Sequence, residues 1–461
     1  MILTGHNKIA GTSLLSMSML FLVLIVSSSI AAFSFSIFIL LVGYGLCLTI
    51  DKQDRNSGFT LFNIVFSLLT LFAVLHYLDA VTNYDEFAQG WRDEYKFWLI
   101  SEELGHLSSI SDIFKTSYTE FIYSDLPGYS TYIGSISYIA KNYFDGNNLL
   151  LQFNGSLVWS SLMSIIIYKT SLLYVNNNQA YINALCFSLF TVIFAHSFVF
   201  LRDIMISFLY SVMFYIILKN YSLKNLFFLI ICTLLIWQIR FEHGLFSIAF
   251  ILLYLISKFK KRKLAIIIAG VIVTSITLIV FRDLLVKSFS TIERYGSRGE
   301  LSAMDKSDSL GKTLYGLPLG IKEIAFFVTS QIRPFPSWSS LMSRSSGNIF
   351  SVIVNSLPLI YSLYWFVVSF SAFKWTLLNK KYKALPAKLK GLFGISIFFL
   401  FIVVQGASDL RRIMAVYPII FFVYLYIKSR EEHPANIKRT RLQAILFYLL
   451  IVGVYLLTKY S

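Results

Sequence analysis

Apolar positions in this chain come in continuous runs rather than at a helical or strand period. The runs lie at roughly 9 to 29, 31 to 50, 58 to 78, 149 to 169, 178 to 195, 203 to 219, 224 to 239, 243 to 258, 264 to 282, 348 to 373, 391 to 405, 413 to 428 and 442 to 458. About 20 helical residues cover the 30 Å hydrocarbon layer of a bilayer, so the pattern predicts an all-α polytopic membrane protein of about thirteen spans, read as one membrane domain over 1–461. Two stretches are too polar to cross, 79–148 and 283–347. The first run follows Lys8, shows no small-residue cleavage site and leads straight into a second, which predicts an uncleaved helix rather than a signal peptide.

Composition removes the soluble classes. Hydrophobic residues make up 56% of the 461 and charged residues 14%, with a mean hydropathy of +0.68, whereas soluble domains carry about a quarter charged residues. Cys47, Cys186 and Cys232 all fall in apolar runs and imply neither a disulfide framework nor a thiolate metal site. No phosphate loop of the G-x-x-x-x-G-K type occurs, which argues against an ATP-driven pump.

The net charge of +16 follows from topology. With the N-terminus in the cytoplasm, the inner side holds 22 Lys and Arg against Asp51, Asp54, Glu431 and Glu432, a balance of +18, and the outer side holds 18 against 20, a balance of −2. The whole basic excess is thus a positive-inside signal and needs no nucleic acid to explain it. Lys258 to Lys263, the lysines from Lys374 to Lys390, and Lys428 to Arg441 are the basic inner loops. Of the 18 outer cations ten are Arg, against 5 of the 22 inner ones. The guanidinium fork grips phosphate oxygens in pairs, so the outer face is suited to hold a phosphorylated group; the same arginines also read as loop ion pairs or headgroup anchors.

Chemistry gathers in the outer stretches. Asp85, Glu86, Asp93 and Glu94 stand just past the third span in an aromatic context, and a carboxylate there is suited to take the proton from an attacking hydroxyl in a sugar transfer. Asp85 and Glu86 are the expected catalytic pair. The run 131–140 is Ser/Tyr-rich and amphipathic, which predicts a helix lying in the interface. Glu102, Glu103 and His106 offer one i, i+3 ligand pair, but the six histidines are otherwise scattered, so no resident metal or other cofactor is expected beyond a divalent ion shared with a substrate phosphate. Charge also collects at the outer helix ends: Arg202 and Asp203, then Arg240, Glu242 and His243, then Arg282, Arg333, Arg411 and Arg412 are the expected substrate-binding residues.

Asp85-Glu86, the Asp125-Leu-Pro-Gly-Tyr129 segment and the spans that follow resemble the polyprenyl-phosphate-dependent GT-C glycosyltransferases over about residues 79 to 245. The two outer loops, the outer Arg clusters and the Phe/Ile/Tyr/Asn-rich chain are also similar to the Wzy-type O-antigen and capsule repeat-unit polymerases. Two extra spans before the acidic loop depart from the usual GT-C pattern. Either resemblance implies a GT-C-like fold in the bacterial inner membrane and sugar transfer at its periplasmic face, from an undecaprenyl-linked donor. For a polymerase the substrate is an oligosaccharide repeat on undecaprenyl diphosphate, drawn from membrane lipid, with a chain-length regulator and a flippase as partners. The nearest alternative adds a single sugar from undecaprenyl phosphate to O-antigen or lipid A. A lipid-linked oligosaccharide flippase is the alternative of another class; the middles of the runs are nearly free of formal charge, which speaks against an ion-coupled carrier.

Overall fold

The computed structural model describes residues 5–83, 92–119, 127–259, single positions between 264 and 279, 316–318, 320–332, 335–338, 341, 348–406, 410–431 and 433–460. The helices among them are α1 (Gly5–Ser27), α2 (Ile30–Leu48), α3 (Arg55–Asn83), α4 (Arg92–Gly105), α5 (Ile110–Thr119), α6 (Gly128–Tyr143), α7 (Leu149–Ser171), α8 (Asn177–Leu189), α9 (Val192–His196), α10 (Asp203–Leu218), α11 (Leu223–Ile239), α12 (Phe241–Lys258), α13 (Ile321–Ser330), α14 (Ile349–Phe373), α15 (Ala387–Gly406), α16 (Tyr417–Ser429) and α17 (Pro434–Tyr460). Eight described helical stretches are long and apolar enough to cross a membrane, and α10 and α11 are shorter apolar helices. The protein is therefore an all-α, multi-pass membrane protein. The run expected at 178 to 195 is broken into α8 and α9, with Phe190 and Thr191 between them.

The chain divides into two compact units, the first holding residues 1–212, 238–240 and 340–358, the second holding 213–237, 241–339 and 359–461. In the first, α1 and α2 meet in a tight turn with Ser28 in the left-handed region at φ 51°. Ser29 caps α2 by accepting from the Ala32 N–H. In lipid, buried polar side chains hold helices together by bonding across them: Asn63 Oδ1 on α3 accepts from Tyr44 on α2 at 2.9 Å and from Ser16 on α1 at 3.2 Å, and Asn154 on α7 donates to Ser36 on α2 at 3.0 Å. The spanning window of α7 is 94% buried and that of α1 only 17%, so α7 is the axis of this unit and α1 lies at its lipid face.

The second unit holds α11 up to Trp237 and α12 from Phe241. A Cβ on Gly244 would stand 2.9 Å from the Trp237 Cα, so the helices fold back on each other only because residue 244 has no side chain. The rings of Trp365 and Tyr417 stack with centroids 3.8 Å apart, and the Trp365 indole donates to Gln331 Oε1.

Loops assigned to one side by charge touch one another. In the second unit Lys381 pairs with Glu431, Lys388 donates to the Lys219 carbonyl, and Lys258 lies over the Tyr221 ring. In the first, Lys169 donates to Thr49 and Tyr168 to the Asp54 carbonyl, whereas Asp145, assigned to the other side, accepts from the N–H groups of Ile30 and Ala31 at 2.7 and 2.8 Å.

Candidate functional site

Among the described residues of the stretch 79–148 are the last turn of α3 and three short helices, α4 to α6, which lie between α3 and α7 in sequence. The amphipathic helix expected over 131–140 is α6, which begins three residues earlier. On α4 a repeat of buried positions, Glu94, Phe97, Ile100, Ser101 and Leu104, faces the unit, which is the periodicity of an amphipathic helix.

That repeat draws Glu94 inward. Only 1% exposed, its Oε1 accepts the Phe200 N–H at 2.9 Å and lies 3.4 Å from His76 Nε2 on α3. Its Oε2 is buried and has no hydrogen-bond partner among the described residues. A buried group left so costs about 1–3 kcal/mol, more when charged. Aromatic rings enclose the pair: His76 packs on Phe153 and Phe198, and Phe97 meets both Tyr129 and Phe200.

Three residues past Phe200, Asp203 opens α10, where a carboxylate is favoured by the partial positive charge of a helix N-terminus. Asp203 is 5% exposed and accepts from Arg240 Nη1 at 2.8 Å. Arg202 Nη1 donates to the Ile239 carbonyl at 3.3 Å. The segment 238–240 is held from the other side by Tyr118 on α5, whose hydroxyl donates to Gln238 Oε1 at 2.7 Å. Burial pushes the Tyr129 hydroxyl well above its usual range, with Tyr132 and Asp203 adding to the rise and Ser156 and Arg202 opposing it. Tyr129 thus keeps its proton beside the acid–arginine pair.

Of the residues expected from sequence, Arg202, Asp203 and Arg240 are brought together. Glu242 and His243 start α12 in the second unit, where His243 packs on Phe399. Arg411 and Arg412 also belong to the second unit, at the foot of the segment leading to α16. Asp85, Glu86, Arg282 and Arg333 lie outside the described residues. Glu102 has another task than metal binding: Lys141 reaches it at 3.1 Å and Asn147 donates to its second oxygen at 2.5 Å. Glu103 and His106 are exposed, and the described residues hold no group of three or more His, Cys, Asp or Glu placed to bind a metal.

Sequence reasoning passed over His76, because a histidine inside an apolar run reads as core, and Tyr129, because it read only as part of the Asp125–Tyr129 segment. The signal for Glu94 was present in the spacing of apolar residues from Phe97 to Leu104, which places 94 on their face. No family model, no curated protein and no solved structure matches this chain.

Proposed function

We propose that the chain is a membrane glycosyltransferase that polymerises oligosaccharide repeats carried on a polyprenyl diphosphate. The observation that carries this reading is the gathering, in one unit, of two arginines and a carboxylate in the Arg202–Asp203–Arg240 cluster. In the reaction a hydroxyl of the acceptor sugar attacks the anomeric carbon of the donor. The new C–O bond forms as the bond to the diphosphate breaks, the hydroxyl proton goes to a carboxylate, and the diphosphate leaves with its electron pair. Asp203 accepts from Arg240 Nη1 and so tethers one arm of the guanidinium fork, which suits an arginine meant to receive charge on phosphate oxygens. Asp85 or Glu86 supplies the base, and Glu94 holds the Phe198–Phe200 turn that precedes Asp203.

One observation favours a second reading of another class. His76 and Asp79 are buried within the span Arg55–Thr82, and buried ionisable groups at membrane depth are also found in carriers, so a flippase for the same lipid-linked glycan is the rival. The lipid-linked glycan profile of cells lacking the chain separates the two. A lost polymerase leaves single capped repeats; a lost flippase leaves none, and that result would remove the enzyme reading.

A further inference from the structure

We infer that α5 lies in the surface of the bilayer, with Ile110, Phe114 and Tyr118 set into the boundary between headgroups and acyl chains of the leaflet in which α3 ends and α7 begins. The helix is ten residues long, about 15 Å at 1.5 Å per residue, half of what a crossing needs. Its residues divide into three faces. Ile113 and Ser117 are buried against the unit; Ile110, Phe114 and Tyr118, at successive i+4 positions, are 48, 52 and 46% exposed; Ser111, Lys115 and Thr119 are exposed beyond them.

A helix between protein and water has two environments and needs two faces. An apolar stripe set between a buried face and a polar one calls for a third. The flanking helices repeat the arrangement, with Tyr95 and Leu99 exposed on α4 and Ile139 and Tyr143 on α6. The occupant is lipid rather than a protein partner because the chain ties these helices to the membrane at both ends. The helices α4 to α6 connect the ends of two spans of the same unit, α3 and α7, on one side of the membrane. Tyr and Phe are suited to that depth, and Lys115, next on the helix surface, can lay its stem along the chains with its ammonium among phosphates.

This placement also sets the depth of the acid–arginine pair. The Tyr118 hydroxyl, at the end of the stripe, is bonded to Gln238, two residues before Arg240, so Arg240 and Asp203 stand at headgroup level, the depth of the phosphates of a ligand held in the leaflet. The inference does not depend on sugar transfer.

The test uses the full chain in phospholipid nanodiscs, with Cys47, Cys186 and Cys232 replaced by Ala and a spin label on a single cysteine at Phe114 or at Ser111. Oxygen, which partitions into lipid, should relax the label at 114 severalfold more than a water-soluble nickel chelate does, and the order should reverse at 111. High chelate access at both positions would overturn the inference, and so would a label at 114 screened from both reagents, which would give the stripe to a second copy or another protein. Because labelling can disturb folding, the unsubstituted protein is also photolysed with a phospholipid bearing a diazirine in its acyl chain. Adducts on the peptide 110–119 are expected alongside those on the exposed Phe21 and Ile25 of α1; adducts on α1 alone would overturn the inference without any substitution.

Discussion

Asp145 caps a helix 115 residues away in sequence, bonding the first N–H groups of α2 and the Ser29 hydroxyl. Burial pushes its carboxyl up, but the N–H groups of Ala31 and Ile30 outweigh this and hold it below the usual carboxylate range. A carboxyl whose folded value is depressed binds fewer protons folded than unfolded. Its contribution is complete above the unfolded value of about 4 and is lost as pH falls through the folded one. Asp145→Asn should therefore lower stability by about 1 kcal/mol at neutral pH, as for a lost helix cap, with the difference from wild type shrinking in acid; equal thermal unfolding at pH 7 would show that the cap contributes nothing. At Arg240, lysine can keep the charge opposite Asp203 but not the fork. Arg240→Lys is expected to weaken binding of a polyprenyl diphosphate by about 10- to 150-fold, the range for one ionic hydrogen bond of roughly 1.5–3 kcal/mol. Unchanged binding would make Arg240 a headgroup anchor. At the carboxylates, Asp85→Asn or Glu86→Gln should cost about 100- to 10,000-fold in polymer formation, as expected for a lost base. Glu94→Gln keeps an acceptor for the Phe200 N–H and should cost far less; the opposite order would make Glu94 the base.

At the scale of elements, the start of α6 is pressed against the segment that carries Arg240. A Cβ on Gly128 would lie 2.8 Å from the Gln238 carbonyl oxygen, and a backbone carbonyl cannot move aside as a side-chain tip can. Gly128→Val should push α6 from 238–240, at about 1–3 kcal/mol as for other overpacked sites, and should reduce donor binding together with stability. A variant that loses stability but binds donor normally would separate this contact from the site. The same helices show how much of the element level is legible in sequence. The Ser/Tyr-rich amphipathic run over 131–140 exposed α6, because six of its ten residues are apolar or aromatic, enough to declare a face. The ten residues of α5 hold too few apolar positions to do so, and its stripe acquires meaning only once Ile113 and Ser117 are known to be buried.

For the whole molecule, the basic loops predict a grouping by side, which the contacts among those loops match, and a direction across the membrane, which labelling reads. Ser108→Cys, between α4 and α5, should react with a membrane-impermeant thiol reagent in intact cells, whereas Ser257→Cys, near the end of α12, should react only after the membrane is opened. The reverse pattern would invert the topology and place the Arg202–Asp203–Arg240 cluster on the cytoplasmic side, where a donor made from nucleotide sugars would become the better reading.

The class of the protein, the positions of most spans and the grouping of loops by side were determined by the sequence alone, because lipid demands unbroken apolar runs about 20 residues long and charge separates across a membrane. These are local or additive properties, and each survives without knowledge of what packs on what. Which polar residues meet was decided only by the tertiary structure. His76, Glu94, the Phe200–Asp203 segment and Arg240 come from four separate stretches, and no spacing rule connects residue 94 to residue 200. The break between α8 and α9 belongs to the same level, since the run 178 to 195 carries no Gly, Pro or charge that would mark where a helix stops. Hydropathy is summed along the chain, whereas a site is made across it.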